Sequence, residues 1–345
     1  MPFEIVRNDI TNMCVDAIVN AASRFPRVNP GVDSAIHNKA GSGLLEARKA
    51  IGYIEPGSAA VTPAFDLDAK YVIHTATPTW EDGTQNEALL LRQAYNRCLQ
   101  LAMEHNCESI AFPLLASGNH GFPKGKALQV AISAFSEFLL ENEMQIFLVV
   151  FSKESVQLSE KLVHYVSSYI DEHYVEDYEK ATYGGMDARS RREQYRARRK
   201  IESCTTSKAM PAPAMCEEVG YVGDLDTFLK KKDAGFMETL LDLIKKSGKK
   251  NATVYKKANI SKQNFSKLVN NPNATITKTV AVAFALALEL DLQQTKDLIA
   301  RAGYTLTNSS VFDLIIQFHI EQKMYNIIAI NVVLYEFDQA LLGSV

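Results

Sequence analysis

Small and amide-bearing residues cluster in three segments in the first half of the chain. The segments are NDIT at 8–11, NAASRFPRVNPGVDSAIH at 20–37 and LLASGNHGFPKG at 114–125. Gly31, Gly118 and Gly121 lack a Cβ atom, so their backbone N–H groups can approach an anion closely. A helix that begins near Val32 would present its N-terminus to the same charge. These residues suit a phosphate or a diphosphate, although the glycines could instead serve only the turns between strands and helices.

Short β-rich runs alternate with longer amphipathic stretches over the same half of the chain. The runs are FEIV, DAIVNAA, YVIHTA, SIAFPLL and IFLVVF, and the stretches between them repeat apolar residues every three or four positions. This alternation predicts an α/β fold with helices on both faces of a mostly parallel sheet. The three polar segments stand at the ends of the predicted strands.

The order and spacing of the polar segments resemble the macrodomain family over roughly residues 1–170. The family pattern has an Asp-Ile-Thr opening, a strand ending in Asn-Ala-Ala-Asn, a glycine-rich loop entering a helix through Ile-His, and a later Ser/Thr-Gly-x-aromatic-Gly-aromatic-Pro loop. This chain has Asp9-Ile10-Thr11, then VNAAS, then PGVDSAIH, and then the loop from Ser117 to Pro123. The resemblance implies a three-layer α/β fold with a central mixed sheet, and ADP-ribose bound along the carboxyl ends of the strands.

The resemblance also implies roles for individual residues of the ligand site. Asp9 would accept a hydrogen bond from the adenine amino group, beside the N–H of Ile10. Phe151 would lie against the adenine face, or else belong to the core. Phe122 would border the distal ribose. The diphosphate would be wrapped by the loop residues Ser117, Gly118, Asn119, His120, Gly121 and Phe122.

Departures from the family pattern bear on whether the site also hydrolyses its ligand. Asn20 matches the first family asparagine, but Ser23 stands where hydrolytic members have a second asparagine at the distal ribose. Asp33 matches an acidic residue that activates water in one hydrolytic branch, or else it only stabilises its helix by about 0.3–1 kcal/mol. Pro30 removes a backbone donor from the turn. We therefore expect a binder of ADP-ribose or ADP-ribosylated targets, with an ADP-ribosyl hydrolase that uses Asp33 and Asn20 as the alternative.

The chain changes character twice after the first domain, which we expect at 1–175. Residues 176–222 lose their periodicity and contain a basic run from Arg189 to Lys200 together with Ser, Thr and Pro. Residues 223–345 are helical throughout. We expect a flexible linker followed by a separate all-α bundle. The basic run either contacts nucleic acid or, as is more common for charge runs, is only solvated.

Lysines without an intervening acidic residue mark the stretch 245–278. Two short predicted helices within it meet at Asn259-Ile260-Ser261, where asparagine tolerates a left-handed turn and serine caps the next helix. The region is similar to phage-repressor-like helix-turn-helix bundles. That similarity implies DNA binding through Lys262, Gln263, Asn264 and Lys267. Such bundles also bind proteins, so the partner stays open, and a nucleotide-sensing DNA-binding regulator is a third hypothesis.

The bulk composition argues against several other classes of protein. The net charge of −3 over 345 residues does not indicate that the molecule as a whole attracts a polyanion such as nucleic acid. We expect no membrane span, because no apolar run approaches the ~18 residues needed. Five cysteines without a CxxC pair suit the cytoplasm. The histidines lack partners at ligand spacing, so we expect neither a metal nor a cofactor. The apolar final helices would pack on the bundle or form a homodimer interface.

Overall fold

The structure of the chain is a computed structural model that describes residues 1–118, 120–151, 162, 165–170, 234–271 and 274–343. The expected linker at 176–222, its basic run and Asn119 lie outside the described residues. The strands are β1 (Phe3–Arg7), β2 (Ala17–Ala22), β3 (Ala59–Pro63), β4 (Tyr71–Ala76), β5 (Ser109–Pro113) and β6 (Gln145–Val150). The helices of the same half are α1 (Val32–Ala40), α2 (Ser42–Ile51), α3 (Glu87–Glu104) and α4 (Lys124–Glu141).

The strands form one mixed sheet in the order β1-β6-β5-β2-β4-β3. All neighbours are parallel except β3, which runs antiparallel to β4 at the edge. The sequence did not predict β3, whose AAVTP lacks an alternating pattern and ends in Pro63, a residue that only an edge strand tolerates. Apolar residues repeat every three or four positions over residues 31–51, a pattern that predicts one helix. The segment instead forms two helices, because the chain turns at Gly41 with φ of 80°.

The two faces of the sheet enter different cores, because successive side chains of a strand point to opposite sides. Ile18 of β2 shares a core with Leu44 of α2 on one face. Val19, the next residue, shares a core with Leu99 of α3 and Phe135 of α4 on the other face. The expected three-layer α/β fold is confirmed, and the carboxyl ends of the five parallel strands meet at one edge.

The second half forms a helical module. Its helices are α5 (Phe236–Ser247), α6 (Asn251–Lys257), α7 (Lys262–Asn270), α8 (Lys278–Ala287), α9 (Leu292–Ala300), α10 (Val311–Glu321) and α11 (Ile327–Glu336). Helix α8 is central, since every residue from Val280 to Ala287 is buried. Residues 165–170 are also helical, and Val166 and Ile170 belong to this core although the expected boundary at 175 assigns them to the first domain. No helix in the described ranges is both long and apolar enough to cross a membrane.

The apolar residues of the last two helices, which suggested a homodimer, are buried within the chain itself. Residues 314–316 and 332–334 are at most 1% exposed. Most of them pack in the helical core, whereas Ile328 and Val332 of α11 share the core of α3 and α4. These residues offer no surface to a second copy, so the homodimer stays a prediction.

The helical module contacts the α/β domain at the open edge of β1. The backbone N–H of Phe3 donates to Asn259 Oδ1 at 2.8 Å, and Asn259 Nδ2 donates to the Phe3 carbonyl at 3.0 Å. The same Nδ2 lies 3.4 Å from the carbonyl oxygen of Leu342. Asn259 is 2% exposed. Its side-chain amide thus takes the place of a neighbouring strand and satisfies backbone groups that an edge leaves open.

Candidate functional site

Loops at the carboxyl ends of β2, β4 and β5 enclose an open cleft of 490 Å³. One wall is the β2–α1 loop and the start of α1, and the opposite wall is the β5–α4 loop. The residues after β4 close one end. The lining residues are Ala21, Arg27, Asn29, Pro30, Gly31, Val32, Asp33, Thr77, Thr79, Pro113, Leu114, Ala116, Ser117, Gly118 and His120.

The β2–α1 wall is tied to the sheet by a buried carboxylate. Asp33 lies in the first turn of α1 and is 2% exposed. Its Oδ1 accepts from Asn20 Nδ2 at 2.7 Å, and its Oδ2 accepts from the backbone N–H of Asn29 at 2.6 Å. Gly31 precedes the helix with φ of 94°, which favours glycine. The first N–H groups of α1 lack intrahelical partners and so give this wall a partial positive charge.

Two buried histidines lie beneath this wall. His74 of β4 has its Nδ1 3.2 Å from Asn20 Nδ2 and its Nε2 2.9 Å from Thr62 Oγ1. Burial, together with the nearby charges of Arg48 and His37, lowers the pKa of His74 to about 3. The ring is therefore neutral at physiological pH. His37 Nε2 lies 3.4 Å from Asp33 Oδ1, which completes a polar network under the cleft.

A buried guanidinium fixes the start of the same loop. Arg48 of α2 is 1% exposed, and burial lowers its pKa. Its Nη2 donates to the carbonyl of Ser23 at 2.9 Å and to that of Arg24 at 3.3 Å, while its Nη1 donates to the carbonyl of Gly52. Sequence reasoning missed this residue, because in the run EARKAI it has the appearance of a solvated helix cation.

The β5–α4 wall is a tight turn with unused backbone donors. Ser117 Oγ donates to the Leu114 carbonyl at 2.7 Å, and the N–H of Phe122 donates to the Ala116 carbonyl at 3.2 Å. Ala116 has φ of 63°, a left-handed conformation that costs free energy in a non-glycine residue. In the described part of the chain, the N–H groups of Ser117 and Gly118 have no hydrogen-bond acceptor. Such a turn suits an anion.

The cleft unites part of the predicted ligand site. The predicted residues that line it are Gly31, Val32, Asp33, Ser117, Gly118 and His120. Asn20 lies beneath Asp33 with no exposed surface. Ser23 and Gly121 are next to the two walls without lining the cleft. Phe122 is 2% exposed and packs on Trp80 at 4.6 Å between ring centroids, in the core rather than at the cleft.

The residues predicted to contact adenine lie at the same edge of the sheet but outside the cleft. Asp9 follows β1, and its Oδ1 accepts from Thr11 N and Oγ1, both at 2.9 Å. Ile10 is buried at 5% exposure. Phe151 directly follows β6, the neighbour of β1, and is 79% exposed. The exposure of Phe151 excludes the alternative that it is a core residue.

Among the lining residues that were not predicted, four carry polar side chains, namely Arg27, Asn29, Thr77 and Thr79. Arg27 and Asn29 lie inside the segment 20–37, which the sequence pattern did identify. The presence of a cation among small residues could have indicated Arg27 as a ligand contact. Thr77 and Thr79 come from the loop after β4, which carries no recognisable motif. Among the described residues, no group of three or more His, Cys, Asp or Glu side chains is arranged to hold a metal ion.

Comparison with known proteins assigns the family. The pattern of the family described as Macro domain matches residues 19–131, a span that includes both walls of the cleft. A protein of Salmonella typhimurium (strain LT2) named O-acetyl-ADP-ribose deacetylase is 41% identical over 166 residues, which cover 46% of this chain and 93% of that protein. The chain belongs to the macro domain family.

Two further relatives of this macro domain come from other organisms. A Macro domain-containing protein of Methanosarcina mazei is 41% identical over 159 residues, which cover 46% of this chain and 85% of that protein. The solved structure of the Oceanobacillus iheyensis macrodomain with ADP is 31% identical, with a TM-score of 0.44, and covers 48% of this chain and 92% of that chain.

The residues predicted to bind nucleic acid lie at the opposite end of the macro domain from the cleft. Helices α6 and α7 meet at Asn259 with φ of 57°, and Ser261 Oγ caps α7 by accepting from Asn264 N at 3.3 Å. A groove of 970 Å³ separates this end of α7 from the base of the sheet. Its lining includes all four predicted residues, Lys262, Gln263, Asn264 and Lys267, together with the acidic residues Glu108 and Glu143.

The lysine stretch around α7 is partly neutralised. Lys249 and Lys257 both pair with Glu289, at 3.3 and 2.9 Å. Lys246 pairs with Asp242 and Lys278 with Asp313. Lys262 and Lys267 are exposed and form no ion pair with any described residue. Lys262 and Lys267 therefore leave unpaired positive charge on α7, and the similarity of this region to repressor bundles stays a prediction.

Proposed function

We propose that the protein binds ADP-ribose, free or attached to a protein, in the cleft of its macro domain. The observation that carries the proposal is the pair of facing walls, one a helix N-terminus and the other a turn with the free N–H groups of Ser117 and Gly118. Both wall types bind phosphate groups, and together they suit a diphosphate. The Salmonella relative's name, O-acetyl-ADP-ribose deacetylase, supports ADP-ribose as the ligand class.

In the proposed pose, the diphosphate lies between the two walls and the adenosine extends along the sheet edge toward β1 and β6. Asp9 then accepts from the adenine amino group, and the exposed ring of Phe151 covers the adenine face. The distal ribose points to Asp33. The support for this direction is that Asp9 and Phe151 follow the carboxyl ends of the adjacent strands β1 and β6, at one end of the same edge.

Binding without turnover is the form of the proposal that the contacts of Asp33 favour. Activation of water by a carboxylate needs an oxygen within hydrogen-bond reach of that water. Both oxygens of Asp33 already accept bonds that hold the loop, from Asn20 and Asn29. The hydroxyl of Ser23, at the place of the second family asparagine, accepts from Phe25 N at 3.2 Å and contacts Arg27 Nε at 3.3 Å. Both side chains are therefore already engaged in holding the loop.

Isothermal titration of the full chain with ADP-ribose tests binding, with adenosine as the ligand that lacks a diphosphate. A Cβ added at Gly118 meets no atom within 4 Å, so Gly118→Val keeps the fold and occupies open space beside the turn. Gly235→Val, in the helical module, is the matched control because its added Cβ also meets nothing within 4 Å. Gly118→Val should abolish the heat and Gly235→Val should retain it. No heat with the unchanged chain refutes the proposal.

An ADP-ribosyl hydrolase is the second candidate. The Salmonella relative bears the name of an enzyme that acts on O-acetyl-ADP-ribose, which favours turnover of an ADP-ribose derivative. The buried network that joins Asp33 to Asn20 and His37 also favours it. The full chain is incubated with ADP-ribosylated protein and with O-acetyl-ADP-ribose, and released product is measured. Turnover that Asp33→Asn abolishes while ADP-ribose binding persists would establish the enzyme. Binding without release of either product supports the binder.

The helical module gives a third candidate, a regulator that binds DNA. The specific observation is the unpaired, exposed pair Lys262 and Lys267 on α7, next to the exposed Gln263. Glu108 and Glu143 face the same groove and would repel phosphates, so a protein partner remains the alternative. Gel shifts of the full chain with and without ADP-ribose test the regulator. An unchanged shift for Lys262→Glu would remove its basis.

A further inference from the structure

The β2–α1 loop brings a guanidinium to the wall of the cleft that also holds the N-terminus of α1. Arg27 lines the cleft beside Asn29, Gly31 and Asp33. Its side chain is exposed, and in the described part of the chain it forms no ion pair. Apart from Arg27, the lining residues supply neutral donors, the Asp33 carboxylate and the imidazole of His120. Arg27 therefore supplies the permanent positive charge among the lining residues.

One nitrogen of this guanidinium is anchored by a residue that departs from the family pattern. Arg27 Nε donates to Ser23 Oγ at 3.3 Å, and Ser23 is 5% exposed. Ser23 is fixed in turn, because its carbonyl accepts from the buried Arg48 and its Oγ from Phe25 N. The two terminal nitrogens of Arg27 have no acceptor among the described residues. A guanidinium held at Nε leaves these terminal N–H groups for an incoming anion.

The turn that precedes α1 has lost a backbone donor for the same anion. Pro30 lines the cleft and has no N–H group. A charged donor compensates for a missing neutral one, since hydrogen bonds from an ionised group are roughly twice as strong. The proline and the arginine thus act in opposite directions on the affinity for a diphosphate.

We propose that Arg27 is the side chain that binds the diphosphate of the ligand, and that Ser23 is its positioning residue. This inference rests on the proposed function and adds a specific mode of recognition to it. A guanidinium contact is a pairing of charges, whereas backbone N–H groups are partial dipoles. The affinity of this protein for ADP-ribose therefore depends on ionic strength more than an amide-only site would.

Titration of the full chain with ADP-ribose at two ionic strengths tests the proposal. Between about 0.01 M and about 1 M salt, the Debye length falls from about 30 Å to about 3 Å. Arg27→Ala should weaken binding about tenfold or more at low salt and flatten the salt dependence. Arg27→Lys should keep the salt dependence but lose part of the affinity, since lysine lacks the fork. Arg24→Ala is the matched control, because Arg24 is exposed on the same loop but does not line the cleft.

A double-mutant cycle isolates the role of Ser23. Ser23→Ala should weaken binding in the unchanged chain and have little further effect when Arg27 is already alanine. Equal losses in both backgrounds would show that Ser23 acts through the loop and not through Arg27. Arg27→Ala binding within about twofold of the unchanged chain, with the same salt dependence, would overturn the proposal while ADP-ribose binding stands. Failure of the unchanged chain to bind ADP-ribose would instead refute both proposals.

Discussion

Replacement of Asn259 by alanine should destabilise the whole protein, because this buried side chain is one of the contacts that join its two halves. The substitution removes the acceptor at 2.8 Å from the Phe3 N–H and the donor at 3.0 Å from the Phe3 carbonyl. Each buried backbone group left without a partner costs about 1–3 kcal/mol. The expected loss is therefore about 2–6 kcal/mol from these two groups, out of roughly 5–15 kcal/mol for a typical domain.

Alanine at this position also has an intrinsic cost, which a control must remove. Asn259 has φ of 57°, and a left-handed alanine costs about 1–2 kcal/mol. Asn106 has φ of 54° at the end of α3, is exposed, and forms no side-chain hydrogen bond with a described residue. Asn106→Ala therefore shares the backbone cost without the lost bonds.

Chemical unfolding of the full chain, followed by circular dichroism, measures both variants. Hydrogen exchange at the Phe3 amide reports the local contact directly. Asn259→Ala should lower the free energy of unfolding by at least about 2 kcal/mol more than Asn106→Ala and release the Phe3 amide to exchange. Equal losses in the two variants, or an amide that stays protected, would refute the role given to Asn259.

Three further predictions concern other parts of the structure. Gly343→Ala should lower the melting temperature more than Gly303→Ala does. Both glycines have φ above 80°, but only at Gly343 does the added Cβ meet backbone oxygens, at 2.6 Å and 3.0 Å. Equal melting temperatures of the two variants would contradict this prediction. Arg48→Met should lower stability by about 3 kcal/mol or more and weaken ADP-ribose binding, since the β2–α1 loop loses its carbonyl contacts; calorimetry measures both effects. Burial lowers the pKa of His74 to about 3 in the folded chain, against 6.5 in the unfolded chain. As the pH drops below about 6.5 the unfolded chain takes up the proton first, so the free energy of unfolding falls, by about 3 kcal/mol at pH ~4.5. Unfolding curves over a pH series test this, and the same pH dependence of the unfolding free energy in His74→Gln would exclude the role.

The fold of the first half was predictable because each layer follows from a local pattern. The strands β2 and β4 to β6 are apolar runs whose composition alone predicts a buried strand. β3 was missed because it is a strand through its pairing with β4, not through its composition. The break at Gly41 was missed because α1 and α2 share one apolar periodicity.

The candidate site was predictable only where its residues belong to motifs. Both walls of the cleft come from segments rich in glycine and amides, and the sequence identified them. Arg48 and Thr77 reach the site through the packing of α2 and β4. The residues next to them in the sequence form no motif that would indicate a place in the site. The contact of Phe3 with Asn259 spans 256 positions, beyond any local signal. DNA binding, a cytoplasmic location, the homodimer and the linker at 176–222 stay predictions.

The bridge at Asn259 has a consequence for biosynthesis. Phe3 is synthesised before the residues that complete its surroundings, Asn259 and Leu342. At about 5–20 residues per second, the intervening stretch takes roughly 20–70 s to translate. During that interval β1 has an edge whose backbone N–H and C=O groups lack partners, and such an edge can pair with another chain and cause aggregation. A chaperone that shields nascent strands should therefore raise the yield of this protein more than that of a variant whose first strand is already paired.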